Sequence, residues 1–281
     1  MLEERSFDTG AITINYGTSR GEGPPLVLLH GLMDRWQAFL PIVPWLAARF
    51  RLLAPDMRGH GRTGRAPDGV YRLADMVADT VAFLEGVVGE PAVLFGDSAG
   101  AFPVVEVAAG RPELCRAAVV GDMPFDLQYL TGIVHSPESM TLHAALRDLA
   151  GRPTRTLLPR LAGLRPDLDP PARLAAAESL RLVDPRALDC HAEGRFQDLV
   201  GEFDGDDLLG RIPAPTLLLQ GDALCGGLTP DTYMEHALAL LPNGQGVRLD
   251  GVGHGLGLDT WQATTLLRAL VPFLESLAAD T

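Results

Sequence analysis

Lysine is missing from the 281-residue chain, so all 23 basic residues are arginine, set against 36 acidic residues for a formal net charge of −13. Phosphate backbones are bound where positive charge clusters, and this balance argues against a nucleic-acid surface. Cysteine is scarce. Cys115, Cys190 and Cys225 are far apart, odd in number and without CxxC spacing, which argues against a disulfide framework or a zinc site and points to a reducing compartment. No run approaches the roughly 18 apolar residues of a membrane helix, and the opening "MLEERSFDTG" has no apolar core of a signal sequence. These absences predict a cytoplasmic protein whose partner is a small molecule, with neither nucleic acid nor membrane involved.

What the chain does contain is core material, with 47% hydrophobic residues over a length that suits one large domain or two small ones. Short apolar runs alternate with segments of helical period. The runs are "PPLVLLHG" (24–31), "FRLLAPD" (50–56), "PAVLFGD" (91–97), "RAAVVGD" (116–122), "APTLLLQGD" (214–222) and "GVRLDG" (246–251). Helices are predicted near 36–48, 73–88, 99–110, 230–241 and 258–278. Continuous apolar strands separated by helices mean a parallel sheet covered on both faces. The stretch "AITINYG" (11–17) alternates instead, which predicts an edge strand with one wet face.

From 124 to 212 the rhythm breaks. Strand-like runs stop, and segments such as "MTLHAALRDLAG" and "PARLAAAESLRL" read as helices interrupted by Pro and Gly. So apolar an excursion is no disordered tether. It predicts a helical cap (124–212) inserted in a core made of 1–123 and 213–281.

The most informative stretch is "GDSAG" at 96–100, where an apolar run ends on a serine between two glycines and a helical segment begins. Ligands of open parallel sheets sit at the carboxyl ends of the strands. Small residues at 96 and 100 permit a turn tight enough to lift Ser98 above the sheet, while the following helix aims backbone N–H groups at the same point. A serine hydroxyl is a weak nucleophile until a base and an oriented acid activate it. Of the seven histidines, His254 follows the last apolar run on a glycine-rich loop, free to swing over the sheet's end. His30 and His60 sit in tight "HG" turns and read as structural; His135, His143, His191 and His236 read as cap or surface residues.

Four motifs in order, "LVLLHGLMD", "APDMRGHGRT", "GDSAG" and "GVGH", resemble the α/β-hydrolases, serine hydrolases with a helical cap. The resemblance implies a mostly parallel eight-stranded sheet with helices on both faces, Ser98 as nucleophile, His254 as base, and an oxyanion hole from the amides of Leu32 and Ala99. It implies that Asp56 and Arg58 brace a turn and that neither metal nor organic cofactor is needed. The aspartate nucleophile of dehalogenases and epoxide hydrolases is absent from this elbow.

The acid departs from the common pattern. Its usual position, three residues beyond a Gly after "TLLLQGD", holds Leu224; Asp222 lies two residues earlier, and the end of "AAVVGDMP" offers Asp122. Asp122 is preferred because a strand terminus gives rigid support to a group that must fix an imidazole, with Asp222 the alternative and Asp250 a weaker third. Met33 and Trp36 after the first turn, and Phe125 and Leu127 after Asp122, predict an apolar pocket. The implied reaction is ester or lactone hydrolysis through an acyl-enzyme. Hydrolysis of a carbon–carbon bond by the same triad, and a slow-turnover ligand receptor that kept the pocket, stay open.

Overall fold

A computed structural model describes residues 2–260 and 263–279. Eight strands form one sheet in the order β1-β2-β4-β3-β5-β6-β7-β8. They are β1 (Glu3–Asp8), β2 (Thr13–Thr18), β3 (Pro25–Leu29), β4 (Arg51–Pro55), β5 (Ala92–Asp97), β6 (Cys115–Gly121), β7 (Thr216–Gly221) and β8 (Gly244–Leu249). From β4 to β8 neighbouring strands run parallel, while β1 and β2 enter antiparallel.

The "AITINYG" stretch is therefore not the edge. β2 is paired on both sides, and five of its six residues are buried. The edge is β1, "EERSFD", whose charged, mostly exposed side chains carry no apolar signal and are what a solvent-facing edge strand tolerates.

Pleating sends alternate residues of the central strands to opposite faces. Val27, Leu29, Leu94, Ala118 and Val120 join one core; Leu26, Leu28, Phe95, Ala117 and Val119 join the other. The first is covered by α2 (Leu73–Phe83) and α3 (Ala101–Gly110), with α10 (Gly205–Arg211) and α11 (Asp231–Leu240) beside them. The second is covered by a short α1 (Val43–Leu46) and by α12 (Thr264–Ala279). The predicted helix at 36–48 is split, a 3-10 turn at Trp36–Phe39 preceding α1, with Pro41 and Pro44 in the segment. Of the span predicted at 258–278, residues 261 and 262 lie outside the described residues, and the helix begins at Thr264.

Between β6 and β7 the chain is helical: α4 (Leu127–Val134), α5 (Pro137–Leu149), α6 (Thr154–Leu164), α7 (Pro170–Leu180), α8 (Asp189–Ala192) and α9 (Phe196–Val200), leading into α10. Several starts are capped as their sequence dictates, Ser136, Asp126 and Asp169 each accepting a backbone N–H of the first turn. This insert has a small core of its own, including Leu146, Leu157, Leu161 and Leu180. No helix among the described residues is long and apolar enough to cross a membrane.

Candidate active site

The site begins at the carboxyl end of β5. Ser98 occupies the left-handed region, φ 52°, a conformation that costs a side-chain-bearing residue about 1 kcal/mol or more and persists only where packing enforces it. Two glycines enforce it here. A Cβ on Gly96 would lie 2.2 Å from the Gly100 carbonyl oxygen, and one on Gly100 would lie 2.2 Å from that of Leu29. The chain can cross itself this closely only without side chains.

Above the elbow, His254 lies on the loop after β8. Its Nε2 is 2.8 Å from Ser98 Oγ and its Nδ1 is 3.0 Å from Asp122 Oδ2. Asp122 follows β6 directly, is fully buried and also has a positive φ of 39°. Its oxygens accept the backbone amides of Gly221, Leu228 and Thr229 at 2.8, 2.8 and 3.1 Å. Burial raises the Asp122 pKa, but the His254 hydrogen bond and those amides outweigh it and hold the carboxyl below its ordinary range. For His254 burial works downward, and the hydrogen bond to Asp122 with the charges of Asp97 and Asp122 carry it above the ordinary imidazole value.

Asp222 is occupied elsewhere. It accepts the amides of Leu224 and Gly251 at 3.0 Å each and lies 3.3 Å from an Arg248 nitrogen, closing the turn after β7. Asp250, highly exposed, lies 3.4 Å from the same guanidinium. Neither makes a hydrogen bond to His254 in this arrangement.

The turn after β3 packs against the elbow so tightly that a Cβ on Gly31 would lie 3.2 Å from Ser98 Cβ. Leu32 and Ala99 line the cavity beside Ser98. The Ala99 N–H, in the first turn leading into α3, lies ahead of any intrahelical acceptor. Met33 has φ 67° and also lines the cavity, its amide donating to His60 Nε2 at 3.1 Å. His30 Nδ1–H donates to the Gly31 carbonyl and its Nε2 accepts the Met57 amide, so the two buried histidines tie the turns after β3 and β4 together. Burial pushes both down to about 4. Asp56 accepts from Asn15, Trp36 and Arg62, and Arg58 is bidentate on Asp79, a brace beneath the same turns.

The predicted pocket residues divide. Trp36 and Phe125 do not line the cavity. In the turn Trp36–Phe39, residues 37 and 38 face the cavity while Trp36 and Phe39 face the sheet, and the Trp36 indole N–H donates to Glu4 at 3.0 Å. Phe125 is 3% exposed, its ring 5.5 Å from Phe102 and 5.7 Å from Phe203, with Gly205 at the start of α10 pressed against it. Leu127 packs against that core. The cavity, about 990 Å³, runs from Ser98 into the insert instead, between leucines and alanines of α5, α6 and α7.

Sequence reasoning missed two carboxylates there. Asp97 is buried with Oδ1 lacking a partner among the described residues, and burial pushes it up to about 7 against the favourable charge of His254. Asp34, bonded to the Ser179 hydroxyl at 3.2 Å, is pushed by burial up to about 6. Both line the cavity. An Asp beside Ser98 is visible in "GDSAG"; nothing local to the sequence says that it is dry.

The model of the alpha/beta hydrolase fold family matches residues 24–168, and the chain belongs to that family. A 2-(acetamidomethylene)succinate hydrolase from Mesorhizobium japonicum is 34% identical over 118 residues, a stretch covering 42% of either protein. The alignment thus spans less than half of that relative. Among solved structures, an E-2-(acetamidomethylene)succinate hydrolase superposes with a TM-score of 0.79 at 24% identity, over 98% of this chain and 100% of the other. Est816, an N-acyl homoserine lactone degrading enzyme, superposes with a TM-score of 0.72 at 21% identity, over 95% and 100%.

Proposed function

We propose that the protein is a cofactor-independent serine hydrolase that cleaves a carboxylic ester or lactone of a small, largely apolar substrate. The observation that carries this reading is the unbroken relay from Asp122 through His254 to Ser98, with both hydrogen bonds at or below 3.0 Å. The carboxylate accepts Nδ1–H and so fixes the tautomer that leaves the Nε2 lone pair facing Ser98 Oγ.

Ser98 Oγ attacks the carbonyl carbon as its proton passes to His254 Nε2. The amides of Leu32 and Ala99 donate to the oxyanion, and each such donor is typically worth a factor on the order of 10² to 10³ in rate. Collapse expels the alcohol, which leaves with the proton from Nε2. A water then gives its proton to the same nitrogen and attacks the acyl-enzyme, and as the C–Oγ bond breaks Nε2 returns that proton to Ser98 Oγ and the carboxylic acid is released. The apolar wall contributed by the insert suits an apolar acyl or alcohol part, and the structural likeness to a lactone-degrading enzyme is consistent with a lactone as one such substrate.

The unusual position of the acid is what held the receptor reading open. With Asp122 in hydrogen-bond contact with His254, no specific observation now favours it. The test is turnover of a panel of short- and medium-chain p-nitrophenyl esters and alkyl-substituted lactones by the wild type and Ser98→Ala. Turnover that disappears with the serine supports the reading; a folded wild type inert toward every ester and lactone in the panel overturns it.

A further inference from the structure

The cavity does not end in leucines alone. From α3 upward, Phe102 packs edge-on against Phe196 with centroids 6.4 Å apart, and Phe196 packs edge-on against His191 at 5.6 Å. His191 lies 5.1 Å from His143 on α5, and all four rings line the cavity. Around the two imidazoles the wall is apolar, with Leu142 and Leu146 beside them.

The hydrogen bonds of this pair are incomplete. His191 is 8% exposed; its Nδ1 is sealed off from the cavity, while the Nε2 atoms of His191 and His143 are not sealed off and make no hydrogen bond among the described residues. A polar atom facing an apolar cavity without a partner gains from a ligand group that completes it. His143 Nδ1 lies 2.8 Å from the Ser139 carbonyl oxygen, which can only accept, so that nitrogen carries the proton and Nε2 keeps a lone pair. Burial pushes His191 down to about 3 and His143 downward as well, so both rings are neutral at physiological pH. Neutral imidazoles offer donors and acceptors but no charge with which to hold an anion. No group of three metal-ligating side chains among the described residues is placed to hold a metal ion, so the pair is not part of such a cluster.

We propose that His191 and His143 form a hydrogen-bonding subsite, up the cavity wall from Ser98, for an uncharged polar group such as a hydroxyl or an amide on the distal part of the substrate. This rests on the serine-hydrolase reading for what happens at the other end, and it narrows the substrate class. The chain between the scissile carbonyl and that group runs past Phe102 and Phe196 and is apolar.

Binding measured by calorimetry tests the subsite without any turnover. The probes are a series of even-chain 1-alkanols and the matching α,ω-diols, which differ only in a terminal hydroxyl. In the wild type one chain length is expected to bind as diol about threefold to tenfold tighter than as alkanol, the range of one net hydrogen bond. His191→Leu is expected to reverse the order at that length, because the second hydroxyl then loses its water with nothing to replace it. A thermal melt checks that the variant is folded, and His143→Leu, at a less buried position, provides the second reading should His191→Leu fail to fold. A wild type that prefers the alkanol at every length, or folded variants that keep the diol preference, overturn the subsite. Turnover of p-nitrophenyl acetate by the wild type is measured alongside; its absence counts against the hydrolase reading and leaves the binding result to stand or fall by itself.

Discussion

Asp122 and His254, 132 positions apart in sequence, meet at 3.0 Å, and the carboxylate that meets the imidazole is simultaneously held by three backbone amides from the end of β7 and the loop after it. The carboxylate is thus fixed to the sheet independently of the histidine, which is the rigidity that orienting an imidazole requires. Asp122→Asn offers an amide where Nδ1–H expects an acceptor and favours the wrong tautomer. Its kcat on p-nitrophenyl esters is expected to fall by a factor on the order of 10⁴, and a fall of less than tenfold would remove Asp122 from the relay.

Asp222→Asn should behave in the opposite manner. That carboxylate closes a turn through the Leu224 and Gly251 amides, so its replacement is expected to lower the denaturant midpoint and leave kcat within about a few-fold. The comparison of denaturant midpoint with kcat decides between the two acids, since only the residue bonded to His254 should separate activity from stability.

How much of this was legible in the sequence follows from how local each signal is. The strands of the central sheet are continuous apolar runs because helices cover both faces, and the elbow is readable because Gly96, Ser98 and Gly100 stand within five consecutive residues, although what lies against Gly100 comes from the end of β3. β1 was illegible: an edge strand of charged residues is stabilised by its pairing with β2, not by its own side chains. The pocket wall was illegible for a different reason. Whether Trp36 faces the cavity or the sheet is set by one step of a 3-10 turn, and Phe125 is claimed by Gly205 at the start of α10, 80 positions downstream of it. The histidines of the insert looked like cap residues because no local pattern distinguishes a solvated imidazole from one facing a cavity.

The elbow glycines carry a stability prediction. A methyl at Gly100 would overlap the Leu29 carbonyl oxygen at 2.2 Å, and the pairing of β3 with β5, Leu29 opposite Gly96, holds the elbow against that carbonyl. Gly100→Ala is expected to lose about 3 kcal/mol or more, together with serine-dependent turnover. Gly110→Ala, where an added Cβ meets nothing within 4 Å at the end of α3, serves as the control, expected to stay within about 1 kcal/mol of the wild type.

Asp97 ties stability and activity to pH with opposite consequences. Its folded pKa of about 7 stands above the ordinary 3.8 because burial disfavours the anion. A carboxyl raised in this way destabilises the fold when ionised, so the penalty is present above pH 7 and is relieved as the pH falls through 7 and the folded state takes up the proton ahead of the unfolded chain. Asp97→Asn, neutral throughout, is expected to melt higher than the wild type at pH 8, with the gap narrowing toward pH 5. The same anion helps to raise the His254 pKa, after the hydrogen bond to Asp122. His254 must be neutral to accept the Ser98 proton, so kcat/KM falls on the acid side as the imidazole protonates, with a midpoint above 6.5 in the wild type. Removing the Asp97 charge lowers the imidazole pKa and moves that acid limb toward lower pH. Thermal melts at several pH values and a kcat/KM profile on one ester read both effects in the same variant. An acid limb that stays in place while the melting gap appears would mean that Asp97 bears on the fold and not on the base, and a limb that moves to higher pH would reverse the sign of the electrostatic argument.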